Sequence, residues 1–226
     1  MAVVQHGVKS SPGDAVLLAR WRAVPTAIIA DVSKGTALID PAIRPLRPPG
    51  QQPRLFGNAV TAWCEPPDFG AVLYALDLLK PGDVLVIAAA GNRDNAMLGE
   101  ILGGQLRRRG ASGVICDGAL RDVAELASWP DLSVFTRFVT PRGPNGAERG
   151  VVNATVSFGG REISPGDLVI GDDDGLVCLS PEMLRPLIAP AETKLNLEDE
   201  WQASLKSGKT MAQTFALPPL TTAEGA

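Results

Sequence analysis

Residues 99–122 read GEILGGQLRRRGASGVICDGALRD. An acid, Glu100, stands twenty residues before the pair Arg121 and Asp122, with a polar, helix-like stretch and a short apolar run between them. Apolar runs at residues 84–89 (VLVIAA) and 114–116 (VIC) begin thirty residues apart, the length of a βαβ unit. In such a unit the loop after each strand leaves the carboxyl edge of a parallel sheet, where open α/β folds bind their ligands. Glu100 follows the first strand, and Arg121 with Asp122 follows the second. A carboxylate beside an Arg-Asp pair can hold a hard divalent cation and, next to it, a small anion. The same residues, with Glu125, equally suit the first turns of a solvated helix, where acids are favoured by the dipole.

Outward from this unit the pattern is mixed. Helical signals cover residues 13–23 and 68–79, the second ended by Pro81 and Gly82, and residues 60–63 read as a strand. A Pro-rich connector occupies residues 41–53. Residues 151–163, broken by Gly159 and Gly160, read as a hairpin. Asp172, Asp173 and Asp174 invite a metal reading, but an Asp-Gly step between the apolar runs 168–170 and 176–179 is a hairpin turn signal, and the turn is favoured. After Pro190, Leu197, Trp201 and Leu205 recur one turn apart, an amphipathic helix ended by Gly208 whose stripe packs on the body or across a subunit interface. The division expected is one α/β domain over residues 1–189, a C-terminal helix over 190–210 and a loose tail over 211–226.

Composition removes several chemistries. The chain has 226 residues, 45% of them hydrophobic, enough for a sizeable core. Its single histidine is His6, in a segment expected to be mobile, and Cys64, Cys116 and Cys178 are widely spaced. A nitrogen-sulfur zinc site and a Ser-His-Asp machine are therefore disfavoured, as is Schiff-base catalysis, because no lysine lies beside the charged cluster. A catalytic metal would be held by oxygen, which suits Mg²⁺ or Mn²⁺. The net charge of −4 argues against nucleic acid as partner, and Arg107, Arg108 and Arg109 fit the end of a helix. Scattered cysteines and the lack of a membrane-spanning run point to the cytoplasm.

Several segments together resemble the RraA-like family, which includes divalent-metal 4-hydroxy-4-methyl-2-oxoglutarate/4-carboxy-4-hydroxy-2-oxoadipate aldolases and the regulator of ribonuclease activity A. They are PTAIIADV (25–32), DPAIRPL (40–46), LDLLKPGDVLVI (76–87), LGEIL (98–102), GVICDGALRD (113–122), TPRGP (140–144) and PGDLVIGDDDGLV (165–177). The resemblance implies a swivelling ββα sandwich with a mixed sheet and a C-terminal helical extension, assembled as trimers or hexamers. It makes Gly99, Glu100, Ile101 and Leu102 the substrate loop, Arg121 a substrate ligand, Arg121, Glu100 and Glu198 the catalytic residues and Asp122 the metal ligand. Glu100 stands where the family usually has Asp. A C-terminal glutamate, best matched by Glu198 with Glu192 and Glu200 as alternatives, would enter a neighbouring subunit's site. Asp31 suits either a pocket wall or a turn cap, and Arg142 suits either a substrate-tail contact or a water-facing loop position.

The activity implied is cleavage of a 4-hydroxy-2-oxo diacid to pyruvate and a 2-oxo acid, with oxaloacetate decarboxylation through the same metal-stabilised enolate. A carboxylate of the substrate would rest on the amides of Ile101 and Leu102, which requires a helix that begins near Gly99. If Asp94 capped an earlier helix those amides would be consumed. The other function class is a non-catalytic regulator that docks on a ribonuclease or another enzyme.

Overall fold

The computed structural model describes residues 2–7 and 14–221. The first half runs β1 (Val4–Gln5), α1 (Ala15–Trp21), α2 (Thr26–Val32), β2 (Arg44–Pro45), β3 (Leu55–Trp63), α3 (Gly70–Leu78), β4 (Val84–Ala88), β5 (Ala96–Leu98) and α4 (Glu100–Arg108). The second half runs β6 (Gly113–Leu120), α5 (Val123–Ser128), β7 (Ser133–Val139), β8 (Val151–Val152), β9 (Val156–Phe158), β10 (Arg161–Ile163), β11 (Leu168–Asp172), β12 (Gly175–Leu179), α6 (Pro181–Lys206) and α7 (Met211–Thr214).

The main sheet has the order β1-β8-β3-β4-β6-β7-β2 and is mixed. Its centre, β3-β4-β6-β7, is parallel, as is the β1–β8 pair, while β8 and β11 pair antiparallel to β3 and β2 pairs antiparallel to β7. A parallel sheet covered on both faces needs strands without a polar side, and β4 is buried throughout. Leu85 and Ile87 face a core shared with α3, α4 and α5, and Val84 and Val86 face a second core under the β9–β10 hairpin. The third core joins α1, α2 and α6 to β11 and β12.

Differences from the sequence reading have local causes. β1 pairs with β8, and His6 donates its N–H to the Val152 carbonyl at 2.9 Å, so the N-terminal segment up to that point is part of the sheet. Gly13 lies outside the described residues, and α1 begins after Asp14, whose Oδ1 accepts from the Val16 amide. Within residues 151–163 only β9 and β10 form the hairpin, and β8 joins the main sheet. The Asp-rich turn does join β11 to β12. Asp172 is occupied there by the Thr26 N–H at 2.9 Å and hydroxyl at 2.5 Å.

α6 starts at Pro181 rather than after Pro190 and carries Pro186 and Pro190 inside it. Both prolines are exposed, so the carbonyls they free can meet water, and burial of Leu184, Ile188 and Ala191 holds the opposite stripe. Within one chain Leu197 and Leu205 remain exposed rather than packed on the body. Residues after Gly208 form α7, closed by a Thr210–Gln213 capping box, and Phe215 sets its ring 4.9 Å from that of Trp201. The part of the tail that the structure describes thus folds back on α6 before losing regular structure. Among the described residues no helix is long and apolar enough to cross a membrane.

Candidate active site

α4 begins at Glu100 with Gly99 as its N-cap, as an anion-binding helix terminus requires. The preceding residues 96–98 are strand β5, paired parallel to the far end of β6, so Asp94 caps no helix. The Gly103 amide is satisfied by the Gly99 carbonyl at 2.9 Å. Those of Ile101 and Leu102 donate to no acceptor among the described residues. Gly103 is needed because a Cβ there would stand 2.6 Å from Leu126 and 2.8 Å from the Trp129 ring. Gly104 has only Arg108 Nη1 nearby, at 3.7 Å, and nothing in the structure explains it.

β6 delivers the two charged residues. The Arg121 N–H is tied to the Leu98 carbonyl at 3.1 Å, which fixes where the chain leaves the sheet. Asp122 follows in the left-handed region, φ 55° and ψ 39°, and caps α5. A non-glycine residue in that region is strained by about 1–3 kcal/mol, and such strain concentrates at functional sites. Its Oδ2 accepts from the Glu100 amide at 3.0 Å and lies 3.5 Å from Arg121 Nε. Its Oδ1 receives no protein hydrogen bond among the described residues. Both side chains are more than a third exposed.

Arg121 and Asp122 line a cavity of about 320 Å³ bounded also by Gly99, Ile101, Leu102 and Gly143. Gly143 comes from the 140–144 loop and lies so close that a Cβ there would stand 2.6 Å from Arg121 Nη1. The loop is held by the Asn95 side chain, which donates to the Gly143 carbonyl at 2.9 Å, and by the Ala96 amide on the Arg142 carbonyl at 2.8 Å. Asn95 escaped the sequence reading because an asparagine in a Gly/Asn-rich stretch looks like turn chemistry alone.

The remaining candidates are placed elsewhere within one chain. Glu100 contributes its amide to Asp122, but the residue lines an adjoining groove, which shares Ile101 with the cavity, together with Gly104, Arg108, Glu125 and Trp129. Glu198 pairs with Lys194 at 3.7 Å, Lys194 also meets Asp31 at 3.2 Å, and Asp31 is not among the residues that line the cavity within one chain. Glu192 is engaged by Arg20 at 2.7 Å, and Glu200 is exposed. Arg142 is exposed and its side chain is not among those lining the cavity.

Two buried acids that sequence reasoning passed over hold the surroundings. Asp68 accepts from the amides of Gly70, Glu148 and Arg149 at 2.8, 3.0 and 3.1 Å. Burial opposes its charge, yet these three amides and Arg149 hold its carboxyl below the usual range. Asp117, on β6, binds Arg137 Nε at 2.6 Å and the Gly159 amide at 2.9 Å, and Arg137 Nη2 reaches Asp40 at 2.7 Å. An Asp inside an apolar strand was the available signal.

The donor set suits a hard cation. Among the described residues no three His, Cys, Asp or Glu side chains gather, so one chain offers a single carboxylate, Asp122, with one oxygen open. Mg²⁺ is commonly held by one or two carboxylates with water and substrate oxygens filling the rest.

The family model RraA-like, described as Aldolase/RraA, matches residues 26–178. The chain belongs to the RraA-like family. A Halalkalibacterium halodurans protein named "Putative 4-hydroxy-4-methyl-2-oxoglutarate aldolase" is 30% identical over 197 residues, 86% of this chain and 90% of that one. A Deinococcus radiodurans protein of the same name is 33% identical over 159 residues, 70% of this chain and 96% of that one. Among solved structures, Streptomyces coelicolor RraAS2, described as an unusual member of the RNase ES inhibitor RraA protein family, matches with TM-score 0.72 at 25% identity. The match covers 84% of this chain and 97% of that one. The RraA-like fold, with its mixed sheet and C-terminal helix, is thus the fold of this chain.

Proposed function

We propose that this RraA-like chain is a class II, divalent-metal lyase that cleaves a 4-hydroxy-2-oxo acid of the diacid type named for its relatives, giving pyruvate and a 2-oxo acid. The same site would decarboxylate oxaloacetate. One observation carries the reading: Arg121 and Asp122 stand side by side on the wall of a cavity whose rim is the open amino end of α4.

The residues divide the work by their chemistry. The amides of Ile101 and Leu102 would receive the carboxylate of the 2-oxo acid, and the partial positive charge of the helix terminus favours it. Arg121, pressed by Gly143, would donate to the oxygen on which negative charge develops as the carbon-carbon bond breaks. Asp122 would hold Mg²⁺, or Mn²⁺, through its open oxygen, and the cation when bound supplies Lewis-acid stabilisation of that same charge. The Glu100 amide steadies the other oxygen of Asp122.

The carboxylates of Glu100 and Glu198 lie outside the cavity in one chain, so a catalytic role for either calls for a second copy. The uncovered Leu197 and Leu205 stripe on α6 supports self-association, as a trimer or hexamer. Three buried, unpaired cysteines suit a reducing compartment, and the reading places the enzyme in the cytoplasm. The likeness to RraAS2 favours a second reading, a non-catalytic regulator docking on a ribonuclease or another enzyme.

Pyruvate release separates the two. The chain should release pyruvate from oxaloacetate and from 4-hydroxy-4-methyl-2-oxoglutarate with Mg²⁺ and cease in excess chelator. No pyruvate from either substrate with Mg²⁺ or Mn²⁺ would leave the regulator.

A further inference from the structure

Among the described residues Arg121 has a single ion pair, with Asp122, and its side chain stays more than a third exposed. An arginine side chain has many rotamers, and packing decides among them. Two glycines supply that packing. A Cβ on Gly99 would stand 2.9 Å from Arg121 Cγ, and one on Gly143 would stand 2.6 Å from Nη1, so main chain lies against both the stem and the guanidinium. Where Gly143 sits therefore decides where the guanidinium points.

The 140–144 loop is tied to the body at three places. The Thr140 amide donates to the Leu120 carbonyl at 3.0 Å, and the Ala96 amide donates to the Arg142 carbonyl at 2.8 Å. The tie to Gly143 itself comes from a side chain, the Asn95 amide nitrogen, on the Gly143 carbonyl at 2.9 Å. Asn95 is well placed to hold it. Its own N–H donates to Asn92 Oδ1 at 3.0 Å, and the next residue, Ala96, begins β5, so a turn and the sheet fix its backbone. Asn95 does not line the cavity. All these contacts lie within one chain, and they act on Arg121 whatever a neighbouring copy adds to the site.

We infer that Asn95 is a positioning residue of the lyase: through the Gly143 carbonyl it holds the 140–144 loop against the Arg121 guanidinium and fixes the direction in which that group donates. The inference rests on the lyase reading and adds a residue to its machinery. A donor that stabilises developing charge must be aimed before the bond breaks, so a loosened loop costs the chemical step rather than substrate capture.

The test is pyruvate release from oxaloacetate with Mg²⁺ by Asn95→Ala and Asn95→Asp, alone and with Arg121→Lys. The two backbone ties remain in Asn95→Ala, so its melting temperature and its calorimetric affinity for Mg²⁺ should stay near those of the natural chain. Its kcat should fall by about ten- to a hundredfold with KM changed by no more than about twofold, the signature of an interaction made in the transition state. Asn95→Asp, whose carboxylate has no proton to give the Gly143 carbonyl, should lose at least as much. With Arg121→Lys in place the ammonium has no planar fork for the loop to hold, and adding Asn95→Ala should cost at most about twofold more. Natural kcat in Asn95→Ala, or the same loss from Asn95→Ala in both backgrounds, overturns the inference and leaves the lyase reading standing. No pyruvate from the natural chain overturns the reading itself, and the inference with it.

Discussion

Gly99 lies so close to Asp122 that a methyl group at residue 99 would overlap the carboxylate oxygen Oδ2. The same methyl would stand 2.9 Å from Arg121 Cγ. Gly99 has φ −144°, a backbone setting open to any residue, so what demands glycine is space. Gly99→Ala should therefore fold, with a melting temperature near that of the natural chain, while displacing both charged side chains. A displacement of about 1 Å can cost on the order of a hundredfold in rate, and kcat/KM for oxaloacetate should fall by about that factor. Thermal melting and steady-state kinetics on the same preparation check it.

Glu100 offers a way to separate backbone from side chain. Its amide holds Asp122 at 3.0 Å, and the residue lines an adjoining groove. Proline is well accepted at the first position of a helix and has no N–H to give. Glu100→Pro should therefore weaken Mg²⁺ binding by about ten- to a hundredfold, the usual cost of losing a partner of a metal ligand. Glu100→Ala keeps the amide and should bind Mg²⁺ with nearly natural affinity. Calorimetric titration of Mg²⁺ into the two variants distinguishes them. Equal affinities would show that the amide contact does not matter.

Asp68 predicts the acid side of the stability profile. Its carboxyl is held below the usual range in the folded chain, against about 3.9 when unfolded. The stabilisation is thus fully present above about pH 4 and drains away as the pH falls through the lower folded value. Asp68→Asn cannot accept from all three amides and should lose on the order of 1–3 kcal/mol at pH 7. Its stability should also decline less steeply below pH 4. Urea unfolding between pH 2 and 7 reads both effects.

The sequence showed the central strands because their hydrophobic runs are long and regular, and the thirty-residue spacing left little choice but a parallel pair. It showed Arg121 and Asp122 for the same reason, since both ride on the end of β6. The three residues of β5 were too short to stand out from the loop around them. The side Glu100 faces depends on where α4 begins and how it rolls on the sheet, which spacing along the chain does not encode. Phe69 and Leu73 were equally hidden, because apolar residues at the start of a helix look the same whether they fill a core or wall a cavity. The length of α6 was obscured by Pro186 and Pro190, whose tolerance follows from exposure on the solvent face.

The most direct measurement is pyruvate release from oxaloacetate with Mg²⁺ by the natural chain, Arg121→Ala and Asp122→Ala, each confirmed as folded by circular dichroism. Both variants should lose nearly all activity, Asp122→Ala should also bind Mg²⁺ more weakly, and the natural chain should stop when chelator is in excess. Natural-rate pyruvate release by either variant, or by the natural chain in chelator, would contradict the account.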